Sequence, residues 1–194
     1  ILGPAEGGGA PSFDTTVTEY FGEANISPTV AASLSLVGTA MKVVMLAGTF
    51  ASEVTVKISV KAFSGGSVQG GGTVASQVLT FFFDQPAVKA ILLSIDPSSR
   101  RRQAGTDLFT HWLNKKTNEW TIVCGEKEVD PSTGAISTVI PTNVLNSPDL
   151  NPSSGCAAAL ADDCEGDGGQ FALFRLPSDA CTASETVTGG GGLS

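Results

Sequence analysis

Phe109-Thr-His-Trp-Leu113, the polar stretch Asn114-Lys-Lys-Thr-Asn-Glu119, Trp120-Thr-Ile-Val-Cys124, Asp130-Pro-Ser-Thr-Gly134 and Ala135-Ile-Ser-Thr-Val-Ile140 together decide the fold. β-Branched and aromatic residues alternate with polar ones, and the separators are rich in Asn, Lys, Asp, Pro and Gly. That pattern predicts a hairpin followed by a third strand. Working outward, strand signals recur at Leu34 to Val37, Lys42 to Leu46, Val54 to Val60, Val78 to Phe83, Ile91 to Ile95 and Phe171 to Phe174. The clearest is Val54, Val56, Ile58 and Val60 alternating with Thr55, Lys57, Ser59 and Lys61, a strand with one face in the core and one in water.

Turn chemistry at Ser64-Gly-Gly, Gly70-Gly-Gly72, Asp84-Gln-Pro86 and Asp96-Pro97 falls at the intervals expected of a sandwich. The glycine clusters between 64 and 72 read as a long flexible hairpin loop. No stretch of a dozen residues has helical period with caps; at most a turn of helix is expected at Pro86 to Ala90 or Ala157 to Ala161. The expected fold is all-β: a two-sheet antiparallel β-sandwich of eight or nine strands with long Gly-rich loops. Residues 1–12 and 188–194, with Gly7-Gly-Gly9 and Gly189-Gly-Gly-Gly192, have the composition of a flexible linker and tail around a single domain over 13–187.

With 19 acidic and 11 basic residues the chain carries a net charge of −8, which repels nucleic acid and anionic lipid. The run Arg100-Arg101-Arg102 after Asp96-Pro-Ser-Ser is read as a solvated turn. Val30 to Phe50 is mostly apolar, but Ser33, Ser35, Gly38, Thr39 and Lys42 interrupt it, and Ser33-Leu-Ser-Leu36 alternates as a strand does. Direct membrane insertion is therefore not expected.

The four cysteines contain no Cys-x-x-Cys pair, and one histidine cannot complete a zinc set. Two disulfides are expected, and with them an oxidising, extracellular or cell-surface compartment. Short loops close most easily, so the pairing expected first is Cys156 with Cys164 and Cys124 with Cys181, the second pinning an otherwise weakly structured tail. Reduction would then loosen the region after Ser147 first. Asn25-Ile-Ser27 is a glycosylation sequon, with Pro28 directly after it as a hindrance to its use.

Chemistry-bearing residues are sparse. His111, the only histidine, shares a strand face with Phe109 and Leu113 and has no Gly-x-Ser-x-Gly elbow to serve, so it reads as a packing residue. Asp163, Glu165 and Asp167 before Gly168 approach a calcium loop, in which alternate carboxylates converge on a hard cation. Cys164 lies inside that loop, and its twelfth position is Phe174 rather than a bidentate glutamate. A solvated acidic loop is the favoured reading and calcium the alternative cofactor. Glu126, Glu128, Asp130 and Asp149 lie in turns without the distinctive neighbourhood that glycosidase carboxylates need. Trp112 and Trp120 would stack sugars only if both faced outward; flanking a hairpin, they are expected to cover a sheet face.

Phe109-Thr-His-Trp-Leu, Trp120-Thr-Ile-Val-Cys124, Val129-Asp-Pro-Ser-Thr-Gly-Ala-Ile136 and Gly169-Gln-Phe-Ala-Leu-Phe174 resemble the closing half of extracellular β-sandwich modules of the GAIN and ZU5-like kind, over Val78 to Leu176. The resemblance implies a non-enzymatic structural or interaction module of a larger cell-surface, matrix or appendage protein, acting in assembly or adhesion. Its partners would be other domains or subunits of a surface assembly. The GAIN autoproteolysis motif, a histidine and an apolar residue before serine or threonine, is absent from the matching region, so self-cleavage does not carry over. The alternative is a secreted calcium-assisted carbohydrate-binding module or glycan-active enzyme using the carboxylates at 163, 165 and 167.

Overall fold

The chain is seen here in a computed structural model that describes residues 12–14, 21–36, 39–98, 103–150 and 168–182. It is a two-sheet β-sandwich. The strands are β1 (Ser12–Asp14), β2 (Phe21–Ile26), β3 (Ala32–Ser35), β4 (Lys42–Met45), β5 (Val54–Lys61), β6 (Ser67–Val68), β7 (Thr73–Val74), β8 (Val78–Phe83), β9 (Ile91–Ile95), β10 (Thr106–Asn114), β11 (Glu119–Ile122), β12 (Lys127–Val129), β13 (Ile136–Ile140) and β14 (Gly169–Pro177). One sheet runs β1-β2-β5-β8-β14-β10-β11-β6, with β7 also pairing β14, and the other runs β12-β13-β9-β4-β3. All pairings are antiparallel except β6 against β11.

All nine expected strands are present, and five more bring the described total to 14 rather than eight or nine. Four of the five have only two or three residues, too short for a period to show. The fifth, β2, carries Gly22, Glu23 and Asn25, which depress strand propensity. It forms because Ala24 and Ile26 pair with Val56 and Val54 and share their burial. α-Helical turns are described at Thr142–Leu145 and over 180–182, not at Pro86 to Ala90, where Ala87 instead bridges Phe50; 157–161 lies outside the described residues. The former membrane-span candidate is the β3–β4 hairpin, and no described helix is long and apolar enough to cross a bilayer.

The main core lies between the sheets. Val54, Val56, Ile58 and Val60 are at most 1% exposed, while Lys57 and Lys61 are half-buried on the other face. Leu79, Phe81, Phe83, Phe171 and Leu173 extend this wall across β8 and β14, facing Leu34, Val43, Met45, Leu93 and Ile136 of the second sheet. Burial on this scale, about 25 cal/mol per Å² of apolar surface, is the main stabilising term. Thr110 and Thr138 meet across the layers, hydroxyl to hydroxyl at 2.8 Å, each about 1% exposed.

The larger sheet is also covered on its outer face. Val78, Phe109, Trp120, Ala172, Phe174 and Leu176 form a second, smaller core, with Phe63, Val68 and Cys181 packed on it. Its roof is the glycine-rich segment read from sequence as a flexible loop. That segment is instead ordered by β6, a 3-10 turn over Gln69–Gly71, and β7. Trp120 Nε1 donates to the Gly65 carbonyl at 3.0 Å. Gly66 has φ +111° and lies so close that a Cβ would stand 3.0 Å from Trp120 Nε1; at Gly72 a Cβ would stand 2.5 Å from Leu176 Cδ1 and 2.9 Å from the Arg175 carbonyl. Glycine here permits close approach to the sheet rather than looseness. The expectation of a weakly structured tail is likewise corrected: β14 is a central strand, paired with β10, β8 and β7. Its run Phe171-Ala-Leu-Phe174 is wholly buried because both faces of the sheet are covered.

Candidate functional site

Cys124 and Cys181 form a disulfide with Cα atoms 5.4 Å apart. It joins the exit of β11 to the segment that follows β14, fastening the edge of the second core. Cys156 and Cys164, and with them Asp163, Glu165 and Asp167, lie outside the described residues, as do Arg100, Arg101 and Arg102. Among the described residues no three His, Cys, Asp or Glu side chains gather as a metal-binding group.

His111 is fully buried in the second core, its ring centroid 4.7 Å from that of Phe174. Nδ1 lies 3.1 Å from the Phe109 carbonyl, which can only accept, so Nδ1 carries the hydrogen. Nε2 has no hydrogen-bond partner. Burial pulls the imidazole pKa below its ordinary 6.5, against the opposing pull of the backbone groups of Phe109 and Gln69. Fully buried against Phe174, the ring packs within the second core. Trp112 and Trp120 occupy opposite faces of the hairpin, since Trp120 is opposite Leu113 and Trp112 opposite Thr121. Trp120 is buried in the second core and Trp112 packs half-buried against the main one, so they form no outward sugar-stacking pair.

Asn25 is exposed on β2, and its Oδ1 accepts from Thr55 Oγ1 at 3.0 Å. Of the four carboxylates expected in turns, Glu128 lies instead in β12, paired with Ser137; Glu126 and Glu128 are exposed, and Asp149 Oδ2 accepts from Asn114 Nδ2 at 3.4 Å. Asp130 is the organised one. Its Oδ1 accepts from Ser132 Oγ at 2.7 Å, Ser132 N at 2.8 Å and Thr133 N at 3.2 Å, closing the turn to Gly134. The Ser132 hydroxyl, then the Ser132 and Thr133 amides, lower its pKa from 3.8 to about 2. What this adds to turn stability is present above the ordinary value and is lost as pH falls through about 2.

This turn walls a cleft of about 650 Å³ at one end of the sandwich, lined also by Pro97, Asp107, Leu108, Val129, Ile136 and Arg175. Lys127 Nζ clamps the β10 side of the cleft to β12, donating to Asp107 Oδ2 at 2.6 Å and the Leu108 carbonyl at 2.8 Å, with the Phe109 ring 3.9 Å below. The clamp links the two sheets. An exposed pair of this kind adds only about 0–1 kcal/mol, so its role is to fix geometry. The cleft is assembled from four separate stretches of chain, and no local motif in the sequence marks it. It mixes apolar side chains, from buried Leu108 and Ile136 to exposed Val129, with both signs of charge, a surface suited to a polypeptide or a polar ligand. No protein-family model and no curated protein matches the chain.

Proposed function

We propose that the chain is a non-enzymatic structural or interaction module of a larger extracellular or cell-surface protein, acting in assembly or adhesion. The Cys124–Cys181 disulfide carries this reading, because such bonds persist in oxidising compartments and are rare in the cytosol. The resemblance of Phe109 to Phe174 to GAIN and ZU5-like modules, and the use of the only histidine as core packing, support it further. The partners would be neighbouring domains or subunits of a surface assembly, docking at surfaces such as the cleft beside Asp130. Thiol labelling of intact cells with a membrane-impermeant maleimide, before and after reduction, tests the compartment. Labelling of Cys124 and Cys181 only after reduction is the expected result. Thiols that label only after lysis, without reductant, would overturn the assignment.

A further inference from the structure

The outer face of the five-stranded sheet carries a straight polar row. Ser35 is opposite Lys42, Lys42 opposite Ser94, and Ser94 opposite Ser137. All four point away from the core, since Leu34, Val43, Leu93 and Ile136 point into it. With Thr39, Thr133 and Asp130 they line a pocket of about 160 Å³, which shares Asp130 with the larger cleft. This volume is well below the roughly 300–1,000 Å³ of sites for drug-sized ligands, and matches a single ring or a short hydroxylated chain.

The polar groups of the pocket are unequally satisfied. Lys42 is half-buried, yet its ammonium makes no hydrogen bond and no ion pair, although the chain carries 19 acidic residues. Ser94, which is fully buried, and Ser137 share one hydrogen bond of 2.6 Å between their hydroxyls. Two hydroxyls bring two hydrogens and this bond uses one, so one remains to donate outward. Thr39 is committed to the backbone, donating to the Leu36 carbonyl and accepting from Met41 N. Asp130 spends Oδ1 on the Ser132 hydroxyl and the Ser132 and Thr133 amides, and the Thr133 hydroxyl also bonds its carboxylate, so Oδ2, with two lone pairs, keeps acceptor capacity toward the pocket. The pocket thus offers an unneutralised cation and a hydroxyl donor, and on its wall a carboxylate oxygen that can only accept.

We propose that this pocket binds a small hydroxylated carboxylate. The ligand carboxylate sits on Lys42 and the free hydroxyl of the Ser94–Ser137 pair, and a ligand hydroxyl donates to Asp130 Oδ2. A plain anion would gain Lys42 but face the Asp130 charge, and a neutral polyol would leave Lys42 unpaired; only a ligand with both groups satisfies both ends. Uronic-acid units of a glycan and free sugar acids share this chemistry. The pocket would hold such a ligand whatever compartment the chain occupies.

The test is a backbone-amide NMR titration of the full chain with methyl glucuronoside, gluconate, glucose and acetate, each to tens of millimolar. The expected result is saturable shifts at Lys42, Ser94 and Ser137 with the first two ligands, a Kd on the order of 1 mM, and at least roughly tenfold weaker binding of glucose and acetate. Tighter binding of the glucuronoside assigns a glycan as the source, tighter binding of gluconate a free acid; either upholds the site. Lys42→Met should weaken binding roughly tenfold or more, and Lys42→Arg should retain it, which separates loss of charge from loss of fold. Equal binding of acetate, equal binding of glucose, or no shift at Lys42 with either acid would overturn the proposal.

Discussion

Replacing Cys124 and Cys181 by serine together should cost the protein stability in a spatially defined way. The bond closes a loop across a sequence separation of 57 residues. Loop-closure entropy for that length corresponds to about 4 kcal/mol at 25 °C. Cys156 and Cys164 both lie within this loop. A bond between them would shorten its effective length by only a few residues, which changes the logarithmic term by about 0.1 kcal/mol. For a chain of this size, about 4 kcal/mol corresponds to a fall in Tm of about 8–16 °C. Cys181 packs on the second core beside Trp120 and Phe174, so the loss should begin there. Hydrogen exchange should accelerate at 178–182 and at the end of β11, while β5 and β8 keep their protection. This departs from the sequence expectation that everything after Ser147 loosens, because β14 is held by strands on both sides. A melting temperature within about 2 °C of wild type would refute the loop argument. Exchange that rises first in β5 would refute the placement of the bond at the edge of the second core.

Three further outcomes follow from buried groups. The imidazole of His111 has a folded pKa below 6.5, so its contribution is fully present above pH 6.5 and is lost as pH falls toward the folded value; chemical denaturation at several pH values should show a fall between neutral and mildly acidic pH that His111→Gln largely abolishes, and a slope unchanged in that variant would contradict it. Thr110→Val alone should destabilise by about 1–3 kcal/mol, because it strands the buried Thr138 hydroxyl, whereas Thr110→Val with Thr138→Val should be nearly neutral; a double variant as unstable as the sum of the singles would show that the pair is not coupled. Gly72→Ala places a methyl against Leu176 and the Arg175 carbonyl and should cost about 1–3 kcal/mol by overpacking, with Trp120 emission shifting to the red in an equilibrium melt if the roof lifts.

The sequence was most legible where one period governs. In β5 the alternation of Val54 through Lys61 is also the alternation of burial. The Cys124–Cys181 pairing was within reach because only three connectivities exist for four cysteines. The second core was not read, although its signal is present. Val78-Leu-Thr-Phe-Phe-Phe83 and Phe171-Ala-Leu-Phe174 do not alternate, and an unbroken apolar strand means that both faces of its sheet are covered. The glycines that supply the cover looked like slack, because close approach and flexibility draw on the same residue. The Lys42 pocket is harder still: Ser35 meets Lys42 within one hairpin, but Ser94 and Ser137 join them only through register between strands far apart in the chain.

The two sheets therefore divide the work of the molecule. Across β8, β14, β10 and β11 the larger sheet is committed on both faces, to the main core on one side and to Trp120, Phe174 and their glycine-rich roof on the other. In the smaller sheet Lys42, Val44, Leu92, Ser137 and Val139 on the outer face stay half-buried, and among the described residues no second strand layer covers them. A module that must meet partners while keeping its core sealed has this face and the adjoining Asp130 turn available for contact. Asp130 lines both the larger cleft and the Lys42 pocket, and five hydrogen bonds of this residue hold its turn: three to Oδ1, one from Gly134 N to the Asp130 carbonyl and one from Asp130 N to the Ala135 carbonyl. A wall preorganised in this way keeps its shape without a ligand, so contact at either cavity need not first order the turn.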